Sequence, residues 1–173
     1  RGGHSVTVLN AFKTIDAIPD HYFQAVGSGT GAIAAWESVQ RCNDSERTSR
    51  KMRLHLVQNH PFTPMVDAWR QDKQDACYSK DEARERLAAV KARVLSNNSP
   101  PWGIAGGIRD SLSDSRGRMY AVTNDEIEHA MALFERHEGC DINPAAGAAL
   151  AGLIQATREH LVDPGDLIAL HIT

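Results

Sequence analysis

The stretch that most restricts this chain is HYFQAVGSGTG, His21 to Gly31. A run as long as one buried strand, His21 to Val26, passes directly into three glycines separated by Ser28 and Thr30. Good helix formers follow, Ala32 to Val39. Glycines at alternate positions let the backbone curl until several N–H groups point at one spot. The helix behind them adds the partial positive charge of its N-terminus, and the two hydroxyls add further hydrogen-bonding groups. A strand, a glycine turn and a helix in this order can hold a phosphate without any cationic side chain. The plainer alternative is a tight turn whose glycines serve only a positive φ.

What the turn lacks narrows the owner of that phosphate. GSGTGA satisfies G-x-G-x-x-G/A, but the dinucleotide-binding fold also needs an acidic residue about 20 residues further on, at the end of the second strand. Here the second predicted strand, Arg53 to Gln58, runs into Asn59. A P-loop needs Gly-Lys-Ser/Thr, and no lysine follows the glycines. A small phosphorylated cofactor, gripped by its phosphate alone, fits best.

Strands and helices alternate along the rest of the chain. Ser5 is a candidate cap for a first helix through Ile15. Thr63-Pro64 starts a helix expected over Met65 to Ala76, and Ser79 one over Asp81 to Leu95. Residues 96–118 are rich in Ser, Asn, Pro and Gly and read as a long loop with a functional part. A strand over Met119 to Val122 leads to a helix over Asp125 to Glu138, capped by Thr123 or Asn124 and closed by Gly139. Asn143-Pro144 opens an alanine- and glycine-rich helix to about His160, small enough in its side chains to pack very close to another backbone. Leu167 to Thr173 (LIALHIT) reads as a last buried strand. The expected class is α/β, three layers, with a mainly parallel sheet and helices on both faces.

Composition closes off other classes. With 173 residues there is room for one ordinary domain. A net charge of −3 provides no basic footprint for nucleic acid. No apolar run approaches the roughly 20 residues that span a bilayer. Three cysteines, Cys42, Cys77 and Cys140, stand far apart with no CxxC, so reduced thiols in a cytoplasmic protein are expected. The chain starts at Arg1, so a processed, truncated or partial polypeptide is expected.

Several segments together resemble one family. YFQAVGSGTGAIAAWE (Tyr22 to Glu37) is similar to the cofactor-phosphate loop of the threonine-synthase-like enzymes that use pyridoxal 5'-phosphate (PLP), and most similar to their cysteate synthase branch. PFTPMVDAW (Pro61 to Trp69), PPWGIAGGIRDSL (Pro100 to Leu112), MYAVTNDEI (Met119 to Ile127), EGCDINPAAGAALAGLIQA (Glu138 to Ala156) and LIALHIT follow in the family's order. The resemblance covers most of the chain but corresponds only to the C-terminal half of such an enzyme. It implies a share of the fold-type II architecture, with residues 1–173 belonging to the large cofactor-binding domain. It implies that Gly27, Ser28, Gly29, Thr30 and Gly31 hold the PLP phosphate and that the Thr173 hydroxyl faces the pyridine nitrogen. A neutral hydroxyl there leaves the ring a weaker electron sink, suited to elimination and replacement. Asn59 is carried over as a residue facing the substrate.

The family's Schiff-base lysine and its substrate-carboxylate loop lie in the N-terminal half. The lysines here, Lys13, Lys51, Lys73, Lys80 and Lys91, match no such motif. The chain alone is expected to be inactive, its missing half lying earlier in the same polypeptide or on a partner chain. The complete enzyme is expected to be a homodimer. Its expected reaction is replacement of phosphate on O-phosphoserine by sulfite. The rivals are a threonine synthase acting on O-phosphohomoserine, a dinucleotide-binding module and a catalytically silent domain.

Other residues carry blander readings. The eight histidines, including His55, His60, His129 and His137, show no HExxH and no cysteine at ligand spacing, so surface or hydrogen-bonded core positions are expected rather than metal ligands. The cysteines have no cationic trigger nearby in sequence. Trp36, Trp69 and Trp102 read as core residues, with Trp102 a second-choice pocket wall because of the loop around it.

Overall fold

The computed structural model describes residues 2–46 and 51–172. Four parallel strands form one sheet: β1 (His21–Ala25), β2 (Arg53–Asn59), β3 (Arg118–Val122) and β4 (Ile168–Leu170), in the order β3-β2-β1-β4. Two apolar layers cover its faces. On one, α1 (Gly2–Ile15), α2 (Thr30–Glu46), α3 (Pro64–Arg70) and α5 (Ile108–Asp114) bury Phe12, Ile33, Met65 and Ile108 against Tyr22, Leu54 and Leu56. On the other, α6 (Asn124–Glu138) and α7 (Pro144–Arg158) bury Ile127, Ala148 and Ala151 against Phe23, Val57 and Tyr120. β2 is buried on both faces as a parallel interior strand is, and its enclosed His55 and Gln58 find hydrogen-bond partners there. The expected α/β class with a parallel sheet and two helical layers is what forms.

The caps show how locally the chain decides its elements. Thr123 and Glu126 make a complete capping box at the start of α6, and Gly139 ends that helix at φ +70°. Asn143 accepts hydrogen bonds from the N–H groups of Ala145 and Ala146, and Ser79 accepts one from Glu82 at the start of α4 (Lys80–Ala89). Ser5 is no cap; it is buried inside α1, which starts earlier. Thr63 precedes α3 without a side-chain cap bond, and the role passes to a distant residue. The side-chain amide oxygen of Gln58, near the end of β2, accepts from Met65 N–H at 2.9 Å and Val66 N–H at 3.1 Å.

Three elements are shorter than their sequence patterns. The helix expected to reach Ala76 stops at Arg70, where Asp72 takes φ +50° and Lys73 N–H returns to the Ala68 carbonyl. The helix expected to reach Leu95 stops at Ala89. Val90 is extended and buried, and the Asn59 side chain captures the N–H groups of Lys91 and Ala92 at 3.0 and 2.9 Å. Inside the loop of residues 96–118 lies α5, and β4 comprises Ile168–Leu170 alone.

The small residues of α7 do what their size suggests. A Cβ on Gly152 would come within 2.3 Å of Val57 Cγ2 on β2, and one on Gly147 within 2.6 Å of Met131 Cγ on α6. Gly152→Val is expected to destabilise the protein by about 1–3 kcal/mol through overpacking, read as a lower unfolding midpoint in thermal denaturation.

A polar chain crosses the sheet beside this interface. Asp166 Oδ2 lies 3.0 Å from His21 Nε2, His21 Nδ1 lies 2.8 Å from His55 Nε2, and His55 Nδ1 lies 2.8 Å from the Tyr120 hydroxyl. Asp166 holds its carboxyl below the usual range, chiefly through the Asp163 N–H, so it accepts. With both rings neutral only one set of tautomers then satisfies the chain: Tyr120 donates to His55, His55 to His21, and His21 to Asp166. His55 is stacked on Phe23 and fully buried, and burial first, then the nearby His21, lowers its pKa to about 3. An unfolded histidine titrates near 6.5, so between about 6.5 and 3 the unfolded state binds the extra proton. Stability from this group is complete above pH 6.5 and is lost as pH falls, by about 1.4 kcal/mol per unit at full slope. Denaturant melts across that range are expected to show this slope, and His55→Gln to remove one proton's worth of it.

Candidate functional site

The end of β1 lies where the sheet reverses its order. From β1 the chain crosses through α2 to β2 on one side, while β4 returns to the other. In open parallel sheets the crevice at such a reversal, outside the carboxyl ends of the strands, is where ligands bind. Val26 makes one more sheet bond, donating to the Val57 carbonyl at 2.9 Å; Gly27 to Gly29 turn, and α2 begins at Thr30. Gly27, Ser28, Gly29, Thr30 and Gly31 are therefore one continuous stretch at the crevice, a turn and the first two residues of α2.

Each glycine is constrained by something different. Gly29 sits at φ +71°, and a Cβ there would fall 2.3 Å from Ile108 Cδ1 at the start of α5. At Gly27 a Cβ would lie 3.3 Å from the Leu95 backbone, and at Gly31 it would lie 2.6 Å from the Gln24 amide nitrogen. The Ser28 and Thr30 hydroxyls are 3.0 Å apart, and Thr30 N–H reaches Ser28 Oγ at 3.4 Å. The first bond into the helix is Ile33 N–H to the Gly29 carbonyl, 3.1 Å. Among the described residues the N–H groups of Ser28, Gly29, Gly31 and Ala32 donate to no acceptor. Unspent donors, two paired hydroxyls and a helix start suit a tetrahedral oxyanion.

Asn59 stands at the end of β2, 2% exposed, with its amide spent on the protein. Its nitrogen donates to the carbonyls of His60 and Val122 and to Asn124 Oδ1, and its oxygen accepts from Lys91 and Ala92. Asn124 in turn bonds the Ala89 carbonyl and Lys91 N–H. The pair fastens the segment that carries Leu95 to Gly27. In this structure Asn59 acts through that segment.

Thr173 lies outside the described residues. Just before it, His171 donates its N–H to the Phe23 carbonyl at 2.9 Å, and its ring meets the Tyr22 hydroxyl at 3.1 Å. Gln24, missed from sequence, packs under Gly31 and keeps its amide oxygen buried without a partner. Ile108 and Leu95, which shape the turn, have no local signal at all.

Lys13, Lys51, Lys73, Lys80 and Lys91 are exposed, Lys91 pairing with Glu128. His129 and His137 are exposed on α6, and among the described residues no cluster of His, Cys, Asp or Glu is arranged for a metal ion. Trp102 is 2% exposed, its indole N–H on the Lys73 carbonyl at 3.0 Å and its ring edge-on to Trp69. No helix among the described residues is long and apolar enough to cross a membrane.

The comparison with known families decides what the chain belongs to. The family model described as "Pyridoxal-phosphate dependent enzyme" matches residues 1–173. The chain belongs to the pyridoxal-phosphate dependent enzymes. The cysteate synthase of Methanoregula boonei is 49% identical over 176 residues, covering 100% of this chain and 42% of that protein. The cysteate synthase of Methanocella paludicola is 48% identical over 159 residues, 90% of this chain and 37% of that protein. The chain thus spans about two fifths of the curated relatives it matches. The L-serine ammonia-lyase of Rhizomucor miehei superposes with a TM-score of 0.75 at 16% identity, over 99% of this chain and 50% of that one. The serine racemase of Dictyostelium discoideum gives 0.68 at 13%, over 98% and 48%. The fold is that of fold-type II PLP enzymes over about half their length.

Gly29→Ala is expected to lower both stability and affinity for added PLP, read by thermal denaturation and by titration of the full-length protein followed by cofactor absorbance. Gly29→Ala with Ile108→Ala relieves the clash but leaves the left-handed backbone, so it is expected to recover only part of each loss.

Proposed function

We propose that the Gly27–Gly31 turn holds the phosphate of PLP and that this chain is the phosphate-holding part of a cysteate synthase-type enzyme. The observation that carries the reading is the turn itself: a cradle with no Cβ at three positions, unspent N–H groups, and identity near one half to cysteate synthases along its length. Ser28 and Thr30 hydroxyls would complete the grip, and the α2 N-terminus would favour the dianion. When bound, PLP supplies the electron sink that allows loss of an amino acid's Cα proton and departure of a group at Cβ.

The proposed substrate is O-phosphoserine and the proposed nucleophile sulfite. The Cβ–O bond breaks and phosphate leaves with its electron pair; sulfite sulfur then forms the Cβ–S bond, and the Cα proton is restored. Within this chain, the turn fixes the cofactor's phosphate end, and Ile108 and Leu95 fix the turn. Thr173 is proposed to place a neutral hydroxyl at the pyridine nitrogen, and the lysine that carries the cofactor is proposed to come from outside these residues.

The test is phosphate release by the full-length protein loaded with PLP. O-phosphoserine with sulfite is expected to give phosphate and cysteate in equal amounts, measured by colorimetry and mass spectrometry. No release from O-phosphoserine overturns the substrate assignment, and threonine formed from O-phosphohomoserine replaces it with a threonine synthase.

A further inference from the structure

We infer that the outer edge of β3 carries a second oxyanion site, built from Arg70, Arg116 and Arg118 and suited to a small phosphate- or sulfonate-bearing ligand. These arginines line a cavity of about 580 Å³. They come from three places in the sequence: the last residue of α3, the turn after α5, and the first residue of β3. Among the described residues β3 is the end strand of the sheet, two strands across from β1, so the cavity lies beside that strand rather than at the glycine turn.

The guanidinium groups are free donors in the cavity. Among the described residues none of the three arginines makes a side-chain hydrogen bond or an ion pair. Three of the other polar side chains in the wall are spent. Ser113 donates to the Arg109 carbonyl, Gln155 donates to the Ala121 carbonyl and Glu126, and Tyr120 gives its proton to His55. Glu159 is the one carboxylate in the lining, against three cations, and it pairs with none of them. Arginines sharing a cavity repel one another unless an anion sits between them, and guanidinium forks match the oxygens of phosphate and sulfonate.

Arg116 adds a local oddity. Its backbone is left-handed, φ +52°, a conformation that favours glycine or asparagine. Gly117 beside it has no room for a side chain, because a Cβ would lie 2.6 Å from the Leu54 carbonyl oxygen. The turn can present a side chain at 116 but not at 117, and the one it presents is a cation aimed into the cavity's lining.

The test uses the full-length protein carrying its cofactor, titrated calorimetrically with inorganic phosphate and, separately, with methanesulfonate. An anion entering the cofactor's own site changes the cofactor's absorbance; binding at the β3 edge is expected to leave it unchanged. Arg116→Asn with Arg118→Gln keeps the left-handed turn and the strand, so folding is preserved and checked by circular dichroism. That double variant is expected to weaken edge binding roughly tenfold or more, the worth of one charged hydrogen bond. Arg118→Lys, which keeps the charge, is expected to retain most of it. Preference for phosphate over methanesulfonate, or the reverse, identifies the ligand class. Absence of any binding that spares the cofactor's absorbance, or equal affinity in the double variant, overturns the site.

Discussion

Ile108 occupies the space a side chain at Gly29 would need, and much of the molecule is arranged to keep it there. Its helix, α5, is held from both ends. Ile108 N–H bonds the Pro101 carbonyl at 3.0 Å, and Gly117 N–H returns to the Leu112 carbonyl at 2.7 Å as β3 begins. The second wall is built as deliberately: Asn59 and Asn124 grip residues 89 to 92, which carries Leu95 against Gly27. The glycine turn therefore takes its shape from two segments distant in sequence. A loop so confined presents its N–H groups at fixed angles, and little entropy would remain to be lost on binding the proposed oxyanion.

The Asp166–His21–His55–Tyr120 chain belongs to the same logic of confinement. A buried imidazole without partners would be costly, but here every ring nitrogen is matched and the donor direction is uniform. The chain ties the turn before β4 to β1, β2 and β3, across the whole width of the sheet. β4 has only three residues in its ladder, so this side-chain link adds to a short pairing beside the proposed cofactor crevice.

Much of this was legible in the sequence because it is decided locally. The glycine turn, the capping residues Thr123, Asn143 and Ser79, and the left-handed Gly139 each depend on a handful of neighbouring residues. The strands were legible from the alternation of Arg53 to Gln58 and from short runs of buried type such as LIALHIT. The misplaced helix ends have a common cause. Residues 71–76 and 90–95 keep helical composition, but Asp72 turns the first away and Asn59, about 30 positions upstream, takes the N–H groups of the second. Thr63 looked like a cap by type, yet Gln58 does the capping from the strand before it. The arginine cavity was invisible for the same reason: its cations meet only after α3, α5 and β3 are packed.

The two proposed ways of holding an oxyanion differ in what they demand of the fold. The glycine turn uses backbone dipoles, which have no flexible stem and cannot move to improve a poor fit. Such a site works only if the backbone is placed accurately, and the close approaches at Gly27, Gly29 and Gly31 are the signs of that placement. The arginines at the β3 edge stand on long side chains whose charges reach a ligand by adjusting. They tolerate loose geometry but remain exposed, so salt weakens them far more than it weakens partly buried dipoles. A cofactor that must be held at one end while chemistry proceeds at the other calls for the first arrangement. A ligand that comes and goes with its concentration calls for the second.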